Sequence, residues 1–96
     1  TDVMTMTKQE FLTSSGLKVK VLEFWLEQRW LVPQEAAGEL HFRDIDVARA
    51  QLIRQLKDDF GANDAGIDVI LHLMDQLHGV RQALAELREE ARRDRS

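Results

Sequence analysis

Residues 16–42 read GLKVKVLEFWLEQRWLVPQEAAGELHF, and this stretch decides the fold. From Lys18 to Arg29, the positions Leu22, Trp25, Leu26 and Arg29 follow the i, i+3, i+4, i+7 rule of a helix with one inward face. Lys20, Glu23 and Glu27 fall on the opposite, wet face. Pro33 ends any helical reading, because it lacks the amide hydrogen the next turn needs. Ala37-Gly38 then marks a turn, with Leu40 and Phe42 on alternate positions after it. The pattern predicts a helix followed by a small hairpin over residues 34–42.

On the N-terminal side, residues 2–6 alternate, Val3 and Thr5 against Met4 and Met6, which predicts a short edge strand. Thr7-Lys8-Gln9-Glu10 has the spacing of a capping box, in which Thr7 accepts from the backbone three residues on and Glu10 reaches back. The helix it opens turns Phe11 and Leu12 inward and stops at Ser14-Ser15-Gly16, glycine being the residue that tolerates a left-handed turn. On the C-terminal side, Asp44 or a near neighbour caps a helix over about 45–59, with Val47, Leu52, Ile53 and Leu56 apolar and Phe60-Gly61 closing it. Asn63 is an N-cap for a last helix over about 64–93. In it Ile70, Leu73, Leu77, Val80, Leu84, Leu87 and Ala91 alternate three and four residues apart, an unbroken coiled-coil seam. Ile67, Leu71 and Met74 widen the stripe early on. The first half of the helix is therefore expected to pack on the domain and the second half on another helix. Nothing else in the chain is left to cover the second half, so a homodimer is expected, with Leu77, Val80, Leu84, Leu87 and Ala91 at its seam.

The expected architecture is mainly α: a winged helix-turn-helix over residues 1–61 with a small β wing, then a long dimerisation helix over 62–96. The size, 96 residues, suits one small domain with a thin core plus one extra element. The composition is ordinary for a globular protein, 44% hydrophobic and 31% charged. There are no cysteines, which excludes disulfides and thiolate metal sites. No apolar run approaches the roughly 20 residues a membrane helix needs. Thr1 to Glu10 do not read as a signal peptide, so a cytoplasmic protein is expected. Seventeen acids against 13 Lys and Arg leave a net charge of -4, whereas nucleic-acid binders usually carry a basic surplus to neutralise phosphates.

The carrying residues Gly16-Leu17, then Leu22, Phe24 and Trp25, then Trp30-Leu31-Val32-Pro33, Gly38 with Phe42, and Asp46-Val47 resemble the DNA-binding regulators of the MerR family. Within it, Trp30 to Pro33, His41-Phe42, Asp46-Val47-Ala48-Arg49, Gly66-Ile67-Asp68-Val69 and Leu73-Met74-Asp75 are similar to the CbpM-type chaperone modulators of bacteria. That second resemblance implies binding to the J-domain of a DnaJ-like, DNA-binding co-chaperone, with inhibition of its Hsp70 co-chaperone and DNA-binding activities. It also implies an antiparallel pairing of the last helix. Two departures from the MerR pattern point the same way. Glu23 stands where the regulators usually carry an arginine on the second helix, and Leu40 where they carry one in the wing. A carboxylate there repels phosphate and a leucine removes a donor.

The side chains offer several candidate sites. Asp64, Asp68 and Asp75 fall on one stripe, the latter two about 40° and 20° around the axis from the first, and none has Lys or Arg three or four residues away. J-domains present a basic helix, so this stripe, with Leu71 and His72 beside it, is the expected partner surface. A merely solvated face, favoured at Asp64 by the helix dipole, is the plain alternative. His72, Asp75 and His78 are spaced by three, but the two histidines lie about 120° apart, too wide for one ion, and no metal site is expected. Arg43, Arg49, Arg54 and Lys57 give the third helix a basic side. In the alternative reading, a DNA-binding regulator without an effector domain, Lys18, Lys20, Arg43 and Arg49 would track the backbone, whereas ion pairing with Asp46, Asp58 and Glu39 would leave them structural. Arg92, Arg93 and Arg95 suit a helix C-terminus and need no further role. Trp25 is expected in the core and Trp30, at the helix end, more open. No nucleophile has a base beside it and no glycine loop cradles a phosphate, so neither catalysis, a cofactor nor a small-molecule substrate is expected.

Overall fold

A computed structural model describes residues 5–94. The elements are α1 (Lys8–Ser15), α2 (Val19–Glu27), β1 (Gln34–Ala36), β2 (Glu39–His41), α3 (Asp44–Asp58) and α4 (Asp64–Asp94). The chain is thus mainly helical with one small antiparallel hairpin, as the sequence predicts.

The local chemistry of α1 is that of its sequence. The Thr7 hydroxyl accepts from the Glu10 amide at 3.2 Å, and the Glu10 carboxylate accepts from the Thr7 amide at 2.8 Å. Gly16 ends the helix in the left-handed region, φ 73°, and its amide returns to the Leu12 carbonyl. Of the predicted edge strand, Met6 pairs with Phe42 in an isolated antiparallel bridge, Thr5 is unpaired, and Val3 and Met4 lie outside the described residues.

The second helix is shorter than predicted. Arg29 does not extend its apolar stripe: the helix stops at Glu27 and Arg29 turns left-handed, φ 62°. The Arg29 amide bonds to the Leu26 carbonyl and the Trp30 amide to the Trp25 carbonyl, the two bonds of a Schellman turn. That turn drives Trp30 back under the helix, where it is only 2% exposed. The expectation of a more open Trp30 is corrected here. Its ring meets Phe24 edge-on and lies 6.3 Å from Trp25.

The wing is a two-stranded sheet with Gln34 opposite His41 and Ala36 opposite Glu39. Ala37 and Gly38 both take positive φ, the turn whose twist matches a hairpin. Phe42 leaves the hairpin fully buried and stacks on Phe11, ring centres 4.3 Å apart. Asp46 caps α3 by accepting from the Arg43 amide at 2.8 Å. Ile53 and Ala50 enter the core, while Val47, Leu52 and Leu56 pack at its edge. Phe60 is left exposed beside Gly61.

Asn63 caps α4 by accepting from the Gly66 amide. The helix has 31 residues, roughly 46 Å at 1.5 Å each, against a longest dimension of 53 Å for the whole. Its grip on the domain is shorter than half its length. Ile67 and Leu71 are buried and Ile70 is half-buried, but Leu73 and Met74 are already exposed. From Leu73 to Ala91 the whole seam is uncovered. Among the described residues no helix is long and apolar enough to cross a membrane.

Candidate functional site

The side chains with most chemistry meet where the end of α2, the middle of α3 and the first turns of α4 come together. Burial of Trp30 brings its indole to α4, and its Nε1 donates to Asp68 at 3.2 Å. Arg49, on α3, donates from Nε to the Trp30 carbonyl. Its two terminal nitrogens grip Asp75 in parallel, at 2.8 and 3.0 Å. That bidentate bond holds the Asp75 carboxyl below its ordinary pKa; partial burial opposes the shift, and the Arg49 charge, then His72 and His78, add to it. From the last turn of α3, Lys57 reaches Asp64 at 3.3 Å.

This geometry revises the predicted partner surface. Asp64, Asp68 and Asp75 do share one side of α4, but it is the side packed on the domain, and each has a partner there. Asp64 and Asp75 pair with cations of α3, and Asp68 accepts from the neutral indole N–H of Trp30. Their partners lie seven, 38 and 26 residues away in sequence, beyond any i±4 test. Leu71 is in the core, 2% exposed, and leaves the surface; His72 stays exposed. His72, Asp75 and His78 do not come together as a metal site: among the described residues no group of three such ligands is placed to hold an ion.

The face that a helix-turn-helix offers to DNA has a different character. Lys18, Lys20, Glu23 and Glu27 are exposed on or beside α2, and Glu35 and Glu39 are exposed on the wing. Glu23 lies 3.7 Å from Lys8, an exposed pair of little energetic weight. Arg49, a candidate phosphate contact, is committed to Trp30 and Asp75 instead, and not to the ion pairs predicted with Asp46, Asp58 or Glu39. Arg54 likewise donates to the Ser15 carbonyl, closing α1 against α3. Arg43 is half-buried, its Nε without a hydrogen-bond partner.

Sequence reasoning missed an open cleft of about 470 Å³ between α3 and α4. Arg29 and Arg43 stand at it, and Val32, Ile45, Leu52 and Met74 line it. The available signal was the apolar pair Val32, between α2 and the wing, and Ile45, in the first turn of α3, neither of which the apolar faces of the helices account for.

Two helices joined by a tight turn, a two-stranded wing, a third helix and a projecting fourth define a winged helix-turn-helix protein. The profile of the MerR HTH family regulatory proteins matches residues 6–89, so the chain belongs to that family. Comparison with curated proteins finds no match.

Proposed function

We propose that this MerR-family chain works by binding protein, as a chaperone modulator of the CbpM type. It would take the J-domain of a DnaJ-like co-chaperone in the bacterial cytoplasm and restrain that partner's Hsp70-stimulating and DNA-binding activities. One observation carries the reading: on α2 and the wing, the elements a helix-turn-helix offers to DNA, Glu23, Glu27, Glu35 and Glu39 are exposed, four carboxylates against Lys18 and Lys20. Phosphate meets repulsion there, whereas a basic helix meets its complement.

On α4, Asp64 and Asp75 remain more than half exposed despite their partners. A carboxylate has about four acceptor sites, so each can take a second donor from a basic helix. With His72 they form the part of the predicted surface that a partner can reach; Asp68 serves it by fixing Trp30. The function needs no cofactor and no catalytic group.

The working unit in this reading is a homodimer. Leu73, Leu77, Val80, Leu84, Leu87 and Ala91 are separated by four, three, four, three and four residues, a spacing that reads the same in both directions. Antiparallel pairing therefore sets Leu73 against the partner's Ala91, Leu77 against the partner's Leu87 and Val80 against the partner's Leu84. All six are exposed in the single chain.

Calorimetric titration of the chain with the J-domain of the host's DNA-binding DnaJ-like protein tests the reading. Saturable heat, reduced by Asp64→Lys, supports it; no heat with both proteins folded overturns it. The second reading, a DNA-binding regulator, draws on family membership and on Lys18 and Lys20, exposed at the start of α2. It requires operator binding that weakens steeply with salt, and sequence preference altered by Glu23→Arg.

A further inference from the structure

The cleft between α3 and α4 has the size of a small-molecule site, about 470 Å³. Its apolar lining comes from Val32, Ile45, Leu52 and Met74, and Val32 and Ile45 are more than half exposed at its edge. Its charged lining does not balance. Arg29, Arg43 and Arg49 face Asp46 and Asp75, three cations against two carboxylates, so the cleft carries one net positive charge. Both carboxylates are engaged, Asp75 by Arg49 and Asp46 by the Arg43 amide. Among the described residues the guanidiniums of Arg29 and Arg43 have no acceptor, and the Nε of Arg43 is buried without one. A buried donor left unmet is costly, and more so on a charged group. Arg29, exposed at the same cleft, supplies a second cation beside Arg43.

We propose that this cleft binds a small amphipathic monoanion, a carboxylate carried on a short apolar chain. The carboxylate takes hydrogen bonds from Arg29 and from the free Nε–H of Arg43, and its charge cancels the excess. The apolar chain lies along Val32, Ile45, Leu52 and Met74. This goes beyond the J-domain reading and does not depend on it.

The test is an NMR titration of the whole chain with octanoate, below its micellar range, with octanol as the uncharged comparator. Saturable shifts centred on Ala48, Met74 and the Arg43 Nε–H are expected, with octanol binding at least tenfold more weakly. Arg29→Gly, which keeps the left-handed turn without strain, and Arg43→Met, which keeps the stem, should each weaken octanoate by about tenfold, the weight of one charge-assisted hydrogen bond. Shifts that never saturate, octanol binding as tightly as octanoate, or undiminished binding by Arg29→Gly would each overturn the proposal.

Discussion

Replacing Arg49 with methionine isolates the contact that joins three parts of the fold. Methionine keeps most of the apolar stem and its packing and removes the guanidinium. Two separable losses follow. The Trp30 carbonyl belongs to a residue that is 2% exposed, and Arg49 Nε is the donor it accepts from. Leaving a buried carbonyl unmet costs about 1–3 kcal/mol. The bidentate pair with Asp75 is weaker than its geometry suggests, because the Asp75 side chain is 60% exposed and water screens it. An exposed pair of this kind contributes about 0.2–1 kcal/mol. The expected total for Arg49→Met is about 2–3 kcal/mol, whereas Asp75→Asn should cost less than about 1 kcal/mol. Urea unfolding at one fixed protein concentration, followed by the fluorescence of the buried Trp25 and Trp30, measures both. With a urea slope near 1 kcal/mol/M, Arg49→Met should lower the midpoint by about 2–3 M. In the Arg49→Met background, Asp75→Asn should cost nothing further. If Arg49→Met costs no more than Asp75→Asn, the Trp30 carbonyl does not depend on this donor and the account of the junction fails.

Gly16→Ala places a Cβ at φ 73° and 3.2 Å from the Arg54 Nη1 that holds the Ser15 carbonyl. A loss of about 1–2 kcal/mol is expected, and an unchanged thermal midpoint would contradict it. Asp68→Ala removes the acceptor of the Trp30 indole and should cost about 1 kcal/mol, while Asp68→Asn should retain most of the stability; equal effects in thermal unfolding would exclude a hydrogen-bonding role. Because Arg49 depresses the Asp75 pKa in the folded chain, its contribution is present above the unfolded carboxylate value of about 3.9 and is lost as pH falls through the lower folded value. The unmutated chain should therefore lose slightly more stability than Asp75→Asn between about pH 5 and 2, a difference well under 1 kcal/mol for so exposed a group; parallel acid unfolding curves would refute the linkage. Leu84→Glu, in the uncovered seam, should convert a dimer to a folded monomer in sedimentation equilibrium, and an unmutated chain that is monomeric at every concentration would refute pairing through α4.

What was legible in this chain is what its neighbours in sequence decide. Thr7 and Glu10 form their box because both partners lie within one turn, and Gly16, Ala37-Gly38 and Asn63 mark their boundaries through backbone conformation or a cap three residues long. Helical spacing placed Leu22, Trp25, Ile53, Ile67 and Leu71 on apolar faces, and all five are buried. Several of the failures share one cause. Arg29 continues the periodic pattern of α2, but the chain turns left-handed there to bury Trp30, and that choice is made by the core and not by the helix. Once Trp30 is under α2, its indole and carbonyl need partners, and Asp68 and Arg49 supply them from two other helices. Arg49 in turn takes Asp75. Residues that looked like a free acidic stripe and a basic DNA-tracking side are thus, in good part, one set of tertiary contacts that seats α4 on the domain. Charge without a local partner is weak evidence of an interface, because the fold can bring a partner from far along the chain. The stronger evidence is charge that remains exposed after folding, and on α2 and the wing that is Glu23, Glu27, Glu35 and Glu39 against Lys18 and Lys20. Carboxylates on the elements that a helix-turn-helix turns toward phosphate are what favour the proposal of a basic protein partner over DNA.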